Sequence, residues 1–178
     1  MKLTLIILQF FFTLSLFAQG TKDPTETVKK MVGFIRYAKN EKALSFIDTA
    51  TFSKNLLKKD YDSLKPEDKE GLESAVKEFI TKKAFPKAAE YFTKIDLNYE
   101  KSKINGKEAR VPSSLLYRGS EKIQFSWVLT EKDGKYLVTD FYNDGKLASE
   151  TNGSKIKPIF DKDGIAKVIE AMKAAANK

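Results

Sequence analysis

The chain contains no cysteine and no histidine among its 178 residues. Without these side chains there is no Ser-His or Cys-His nucleophile pair, and no imidazole or thiolate ligand for a zinc site. Lipid attachment through an N-terminal thiol is excluded as well. Chemistry based on carboxylates, serine, lysine or tyrosine survives this exclusion, but most common hydrolase mechanisms do not. We therefore expect no catalytic residues, no metal site and no cofactor, and we expect a binding protein rather than an enzyme.

Arginine is also scarce, with three residues (Arg36, Arg110 and Arg118) among 32 basic side chains. Nucleic-acid binders usually concentrate arginine for bidentate contacts to phosphates and bases. Nucleic acid is therefore not an expected partner. The formal net charge of +8 leaves two interpretations open. One is a well-solvated surface, and the other is attraction to anionic membrane surfaces or acidic protein patches.

The longest apolar run lies at the N-terminus. Lys2 precedes an apolar segment over residues 3–17, and small residues follow at Ala18 and Gly20. This organisation is typical of a signal peptide cleaved after Ala18 or Gly20, and an uncleaved anchor is the alternative. We assign residues 1–20 to a signal peptide and residues 21–178 to a single domain, which can bury a core without disulfides. The chain is therefore expected to be exported.

The rest of the chain divides into a helical first half, a strand-rich second half and a closing helix. Asp23-Pro24 and Pro66-Glu67-Asp68 predict helix starts, and Pro86 predicts an end or a kink. From residue 94 the apolar period changes from 3.6 to 2, and Asn105-Gly106 and Asp133-Gly134 predict hairpin turns. We predict an α+β fold in which the helical N-terminal half and a C-terminal helix pack on a curved antiparallel sheet of about four strands, enclosing an apolar cavity.

Alternating apolar residues in the strand region give the candidate binding face. One predicted strand spans residues 121–130, and a neighbouring one carries apolar residues at 95, 97 and 99. These side chains form either ordinary core or the wall of a cavity that holds acyl chains. At roughly 0.8 kcal/mol per buried methylene, a 16-carbon chain would gain on the order of 12 kcal/mol in such a cavity. The candidate lipid-binding residues are Phe79, Phe92, Leu97, Tyr99, Ile123, Phe125, Trp127, Leu129 and Val138.

Other candidates are weaker. The carboxylate pairs Asp60/Asp62, Glu67/Asp68 and Asp161/Asp163 lie in lysine-rich segments that are expected to be exposed, which is unsuitable for paired acid–base catalysis. The sequence around Asp161 has only part of a calcium loop, because no acidic residue occupies its final position. Asp140 is expected to be a structural hydrogen-bonding group. Residues 143–154 look like a long loop that could gate a cavity.

Several motifs in order resemble one protein family. They are Asp23-Pro24 with Val28, Leu64-Lys65-Pro66-Glu67-Asp68 followed by Phe79, the strand over residues 122–129, the segment over residues 133–140, and Gly164-Ile165 with Val168-Ile169. Together they resemble the periplasmic MlaC-type, or toluene-tolerance, phospholipid-transport proteins. One position and one segment depart from the family pattern. Tyr136 replaces the usual tryptophan, and Gly145-Lys146-Leu147-Ala148 replaces glycine-valine-serine-leucine and lacks the arginine that normally follows.

The resemblance implies a function and a set of partners. The cargo would be a glycerophospholipid with its tails in the cavity and its head group near solvent. The chain would be the soluble substrate-binding component of an ABC lipid-transport system involved in outer-membrane lipid asymmetry. It would shuttle between an inner-membrane ABC complex and an outer-membrane lipoprotein complex, coming transiently close to the membrane surface. The energy would come from the partner ATPase, since this chain has no Gly-x-x-x-x-Gly-Lys phosphate loop.

Two other functions remain open on the sequence alone. A periplasmic chaperone or envelope-assembly factor would bind proteins through a basic surface. This function predicts an exposed concave patch instead of a cavity. A carboxylate-only hydrolase would need two partly buried acids facing one cleft.

Overall fold

The computed structural model describes residues 20–177, so the predicted signal peptide lies outside them except for Gly20. The helices are α1 (Pro24–Arg36), α2 (Asn40–Leu44), α3 (Thr49–Leu57), α4 (Lys59–Asp62), α5 (Pro66–Phe79), α6 (Phe85–Phe92) and α7 (Ala148–Ala176), with a π-helical turn at Ile80–Ala84. The strands are β1 (Asn98–Tyr99), β2 (Lys103–Asn105), β3 (Glu108–Tyr117), β4 (Glu121–Lys132), β5 (Lys135–Asn143) and β6 (Lys146–Leu147).

Local sequence signals explain where several helices begin and bend. The Asp23 carboxyl accepts hydrogen bonds from the backbone N–H groups of Thr25 (2.7 Å) and Glu26 (3.3 Å), and so caps α1 as predicted. Pro86 lies in the first turn of α6, directly after the π-helical turn, so the helical segment continues past it instead of ending there. Gly164 divides α7 with a φ of 76°, which glycine adopts without a Cβ clash.

The strands form one antiparallel sheet in the order β1-β3-β4-β5-β6, with β2 paired to β3 next to β1. Asp133 and Gly134 form the two-residue turn between β4 and β5, with φ values of 52° and 73°. Two positive φ values match the right-handed twist of the flanking strands, which confirms the predicted hairpin. The second edge of β5 is covered, since its Tyr136 and Val138 N–H groups donate to Thr21 O (2.8 Å) and Phe46 O (2.9 Å).

The helices pack on one face of the sheet and share a core with it. The predicted alternation on β4 is confirmed, because Phe125, Trp127 and Leu129 are buried and Ile123 is half-buried, while Gln124 is exposed. These side chains belong to one apolar cluster with residues of α1, α5 and α7. The architecture is therefore α+β, as the sequence predicts. Within residues 20–177, each helix is too short or too polar to cross a bilayer.

Three details of the sequence interpretation need correction. The sheet has six strands where about four were predicted, because β1, β2 and β6 are only two or three residues long. Ile95 and Leu97 precede β1 and are not part of it. The predicted loop over residues 143–154 is absent, since β6 and the first turns of α7 occupy this segment.

Candidate functional site

An apolar cavity of about 600 Å³ lies between the helices and the sheet and is partly open to solvent. Every helix except α2 and α4 contributes to its wall, together with β4 and β5. If each carbon of a ligand takes roughly 30 Å³, the volume of a water molecule in the liquid, the cavity holds on the order of 20 carbon atoms. The main apolar lining residues are Met31, Ile35, Ile47, Phe52, Leu56, Val76, Phe79, Ile80, Phe85, Ala88, Phe92, Trp127, Val138, Phe141, Ile156, Ile159, Ala171 and Met172.

A β-bulge brings four consecutive residues of β5 to the cavity. Leu129 lies opposite Val138, and Val128 lies opposite Asp140, so Thr139 is an extra residue without a partner on β4. Bulges of this kind reorient side chains that a regular strand would place on alternate faces. As a result, Val138, Thr139, Asp140 and Phe141 all line the cavity.

The polar lining residues cluster where the bulge of β5 meets the start of α7, a part of the cavity that we call the polar end. Thr139 and Asp140 come from the bulge, and Asn152 and Lys155 come from the first turns of α7, which begin beside it. Lys155 is exposed and lies at the rim. The cavity is therefore apolar apart from this polar end, which has a cation at the solvent boundary. Such an arrangement suits an amphipathic ligand.

Asp140 fixes the start of α7 at this polar end. It is 3% exposed, and its Oδ1 accepts hydrogen bonds from the backbone N–H groups of Phe141 (2.8 Å) and Ser149 (3.1 Å). The Ser149 hydroxyl donates to its Oδ2. Because Ser149 lies in the first turn of α7, Asp140 acts as a cap supplied from outside the helix, by strand β5. This agrees with the structural role that the sequence suggested for it.

Aromatic rings form the sheet side of the cavity around Trp127. The ring centroid of Phe141 lies 5.0 Å from that of Trp127, and those of Phe125 and Phe92 lie at 5.9 Å and 6.3 Å. The angles between the ring planes range from 57° to 83°, as in the favourable tilted and edge-to-face pairs of proteins. Strand β4, with its neighbour β5 and helix α6, thus supplies an aromatic wall.

The structure brings four of the nine candidate lipid-binding residues to the cavity. They are Phe79, Phe92, Trp127 and Val138. The other five do not line it. Ile123, Phe125 and Leu129 belong to the packed core or its edge. Leu97 precedes the short β1, and Tyr99 lies in it. Phe125 supports the wall indirectly, through its contacts with the rings of Trp127 and Phe141.

Tyr99 illustrates why a position on β1 is not on the cavity wall. β1 pairs with β3 at Ser113, and both β3 and β4 lie between β1 and the bulge on β5. Burial raises the pKa of the Tyr99 hydroxyl to about 12, with a smaller opposing effect from the Arg36 guanidinium. Its phenol is therefore neutral at physiological pH. The structure gives it a packing role at the sheet edge.

Sequence reasoning did not select the cavity residues on α1, α3 and α7. Met31 and Ile35 lie one turn apart on the apolar stripe of α1, and Met172 lies on that of α7. The 3.6-residue period identified these stripes as buried, but burial alone does not separate a packed core position from a cavity wall. No signal in a single sequence marks that difference.

A second cleft, of about 720 Å³, is lined by charges of both signs that pair with one another. Lys77 Nζ lies 2.9 Å from Glu73 Oε1, Lys82 Nζ 2.6 Å from Glu78 Oε1, and Thr49 Oγ1 donates to Glu73 at 2.7 Å. These groups satisfy each other at the surface. Although Leu44, Ile47 and Leu137 also line this cleft, its lining is more polar than that of the cavity, which is therefore the candidate site.

The carboxylate pairs lie away from both spaces. Asp62 pairs with Lys54 at 2.9 Å, and Asp60 pairs with Lys157 at 3.3 Å, while Asp161 and Asp163 are exposed on α7. None of these carboxylates lines the cavity or the second cleft. The geometry that two carboxylates need around one substrate is absent from these pairs.

Fold and cavity together define an α+β binding protein whose apolar space lies between a sheet and the helices on one face of it. The sequence model of the MlaC protein family matches residues 19–174, and the chain belongs to this family. The comparison with curated proteins finds no match.

Two solved structures are similar to the chain. A phospholipid-binding protein from Ralstonia solanacearum, solved in complex with a phospholipid, matches with a TM-score of 0.72 and 14% identity, over 87% of this chain and 97% of that one. At this identity the likeness establishes the fold. A Campylobacter jejuni structure described as an NTF2-like transpeptidase matches with a TM-score of 0.43 and 17% identity, over 65% of this chain and 95% of that one.

Proposed function

We propose that this protein is a non-enzymatic phospholipid carrier that holds acyl chains in the cavity between its helices and its sheet. The observation that carries the proposal is the cavity itself, about 600 Å³ in volume and apolar except at one end. The Ralstonia solanacearum protein of the same fold binds a phospholipid. Membership of the MlaC protein family supports the same role.

The energetics favour an acyl chain as the occupant. An apolar wall offers no specific contact to a sugar, a peptide or a metal ion, but each methylene that leaves water gains roughly 0.8 kcal/mol. A 16-carbon chain would therefore gain on the order of 12 kcal/mol before the costs of binding are subtracted. The volume accommodates one such chain, and a second tail would need the walls to move or would extend through the opening.

The head group would lie at the polar end. Asn152 and the exposed Lys155 border the cavity there, and an ammonium group at the rim complements a phosphate. The tails would then extend past Trp127 and Val138 toward the apolar residues of α1 and α5. This orientation leaves the charged part of the lipid in water, which avoids the cost of burying it.

As a carrier, the protein would work in the periplasm, after export by its N-terminal signal peptide, between inner- and outer-membrane complexes. Its ligand would be received from or delivered to an inner-membrane ABC complex and an outer-membrane lipoprotein complex. A lipid cannot cross an aqueous space unaided at a useful rate because its tails are hydrophobic. The chaperone alternative would use an exposed concave patch, and the cavity between the helices and the sheet supports the carrier instead.

Uptake from vesicles tests the proposal. Delipidated protein is mixed with phosphatidylglycerol vesicles, separated from them and assayed for bound phospholipid. We expect stoichiometric loading of the natural chain and a loss of more than tenfold for Met172→Asp, which puts a carboxyl on the cavity wall. The matched control is Ala174→Asp, on the exposed side of the same helix, which should load normally. A folded natural chain that takes up no phospholipid contradicts the proposal.

A further inference from the structure

We propose that Gly20 belongs to the folded domain and that the signal peptide is cut before it, after Ala18. The sequence leaves two cleavage positions open, after Ala18 and after Gly20, because each has a small residue before the cut bond. The packing of Gly20 and Thr21 distinguishes between the two positions. The inference depends on the predicted signal peptide and not on what the cavity holds.

The backbone of Gly20 packs against that of Tyr136 in β5. Gly20 is buried, and a Cβ at this residue would lie 2.0 Å from the Tyr136 carbonyl oxygen and 3.0 Å from Leu137 Cδ2. The Tyr136 backbone is held in the sheet opposite Glu131 of β4, so a shift of its carbonyl would disturb the strand pairing. Glycine fits here because it has no Cβ and lets another backbone approach closely. The folded domain itself therefore requires a glycine at residue 20.

Thr21 joins the same edge of β5 through hydrogen bonds. The Tyr136 N–H donates to Thr21 O at 2.8 Å, and the two residues form an antiparallel bridge. The Thr21 N–H donates to Thr27 Oγ1 at 2.8 Å, and this hydroxyl oxygen lies 3.3 Å from Tyr136 O. Thr27 is fully buried. Residues 20 and 21 are therefore packed and bonded to the sheet as part of the domain.

A cut after Gly20 would damage this arrangement. It would convert the Thr21 N–H into a charged ammonium group beside the buried Thr27 side chain, and burying a charge is costly. It would also uncover the part of the Tyr136 backbone against which Gly20 packs. A cut after Ala18 leaves the Thr21 nitrogen as a neutral amide. The edge of β5 then stays covered two residues before Val138, which lines the cavity.

Intact-mass spectrometry of the exported protein tests the inference. The chain is produced with its own N-terminal segment in a bacterium that exports it, and the mature protein is purified from the periplasm. We expect the mass of a chain that begins at Gln19 and therefore contains Gly20. A mature chain that begins at Thr21 would overturn the inference, and so would a chain that is not cut. Lipid uptake is measured separately, so none of these results decides the carrier function.

The substitution Gly20→Ala tests the packing on which the inference rests. Alanine is accepted before a signal-peptide cut, so residue 20 would tolerate it if it were the last residue of the signal peptide. In the folded domain the added Cβ overlaps backbone atoms of β5, and we expect the thermal unfolding midpoint to fall by about 5 °C or more.

Gly33→Ala is the matched control for this substitution. Gly33 lies in α1 with open space around its Cβ position, and alanine favours a helix, so the midpoint should not fall. Equal midpoints for Gly20→Ala and the natural chain would overturn the inference. If Gly20→Ala does not fold, the mass of the natural chain decides between the two cleavage positions.

Discussion

Filling the cavity should abolish lipid binding without unfolding the protein. Ala171 lies on the second half of α7, is half-buried and lines the cavity. The substitution Ala171→Phe adds a six-carbon ring that would occupy space otherwise open to the ligand. If the ring displaces about six methylenes of an acyl chain, the gross loss is about 5 kcal/mol at roughly 0.8 kcal/mol each. Even half of this loss in binding free energy would weaken binding by well over tenfold.

The effect on folding should be small because the ring enters existing space instead of a packed core. We expect the free energy of unfolding to change by less than about 1 kcal/mol. Inserting a larger side chain into a well-packed core would instead cost about 1–3 kcal/mol. Urea unfolding measures the stability, and titration with phosphatidylglycerol vesicles measures the binding.

Ala174 provides the control for this experiment. It lies on the same helix, three residues away, and is exposed. Ala174→Phe should therefore bind lipid like the natural chain. If Ala171→Phe folds and loads lipid as well as Ala174→Phe does, the cavity is not where the acyl chain binds, and the reasoning is refuted.

Three further substitutions test the supports of the site. Asp140→Ala removes the acceptor for the Ser149 N–H at the start of α7, and thermal unfolding should show a loss of about 2–3 kcal/mol; a loss below about 0.5 kcal/mol would contradict the capping role. Gly153→Ala places a Cβ 2.5 Å from the Leu56 carbonyl oxygen, so urea unfolding should show a loss above about 2 kcal/mol, and an unchanged midpoint would mean that the two helices separate easily. Burial raises the pKa of Tyr99 to about 12. The stabilisation that its neutral, buried phenol gives the folded state is therefore complete below pH 10 and is lost as pH rises through 12. Relative to Tyr99→Phe, the natural chain should lose about 1 kcal/mol over that interval after allowance for partial exposure, whereas parallel pH profiles would argue against this burial.

Local signals with a direct physical cause predicted much of the fold. Asp23 caps α1, Asp133-Gly134 makes a two-residue turn, and β4 alternates as its apolar pattern indicates. Each of these features depends on residues close together in the sequence. The family resemblance is confirmed by the match over residues 19–174.

Features that depend on distant contacts were not predictable in the same way. The segment over residues 143–154 is polar and contains two glycines, which indicated a loop. It folds as β6, which pairs with the end of β5, and as the start of α7, whose first turn donates hydrogen bonds to Asp140 on the preceding strand. Tertiary hydrogen bonds of this kind override local preference.

The cavity wall was only partly predictable for a related reason. A regular period-2 strand would place alternate residues of β5 on one face, but the bulge at Thr139 breaks this alternation, and four consecutive residues line the cavity. The helical part of the wall looks identical to packed core in the sequence, since Met31 and Leu72 are both apolar and buried. Only the three-dimensional arrangement shows that Met31 borders open space while Leu72 does not.

The central claim is that the space between the sheet and the helices holds the tails of a phospholipid. Organic extraction of the protein purified from its own cells, followed by quantitative lipid mass spectrometry, tests this claim most directly. We predict close to one diacyl phospholipid per chain, and its near-complete loss in Ala171→Phe but not in Ala174→Phe. Extracts without phospholipid from a folded natural chain, or equal amounts from both variants, would contradict the account.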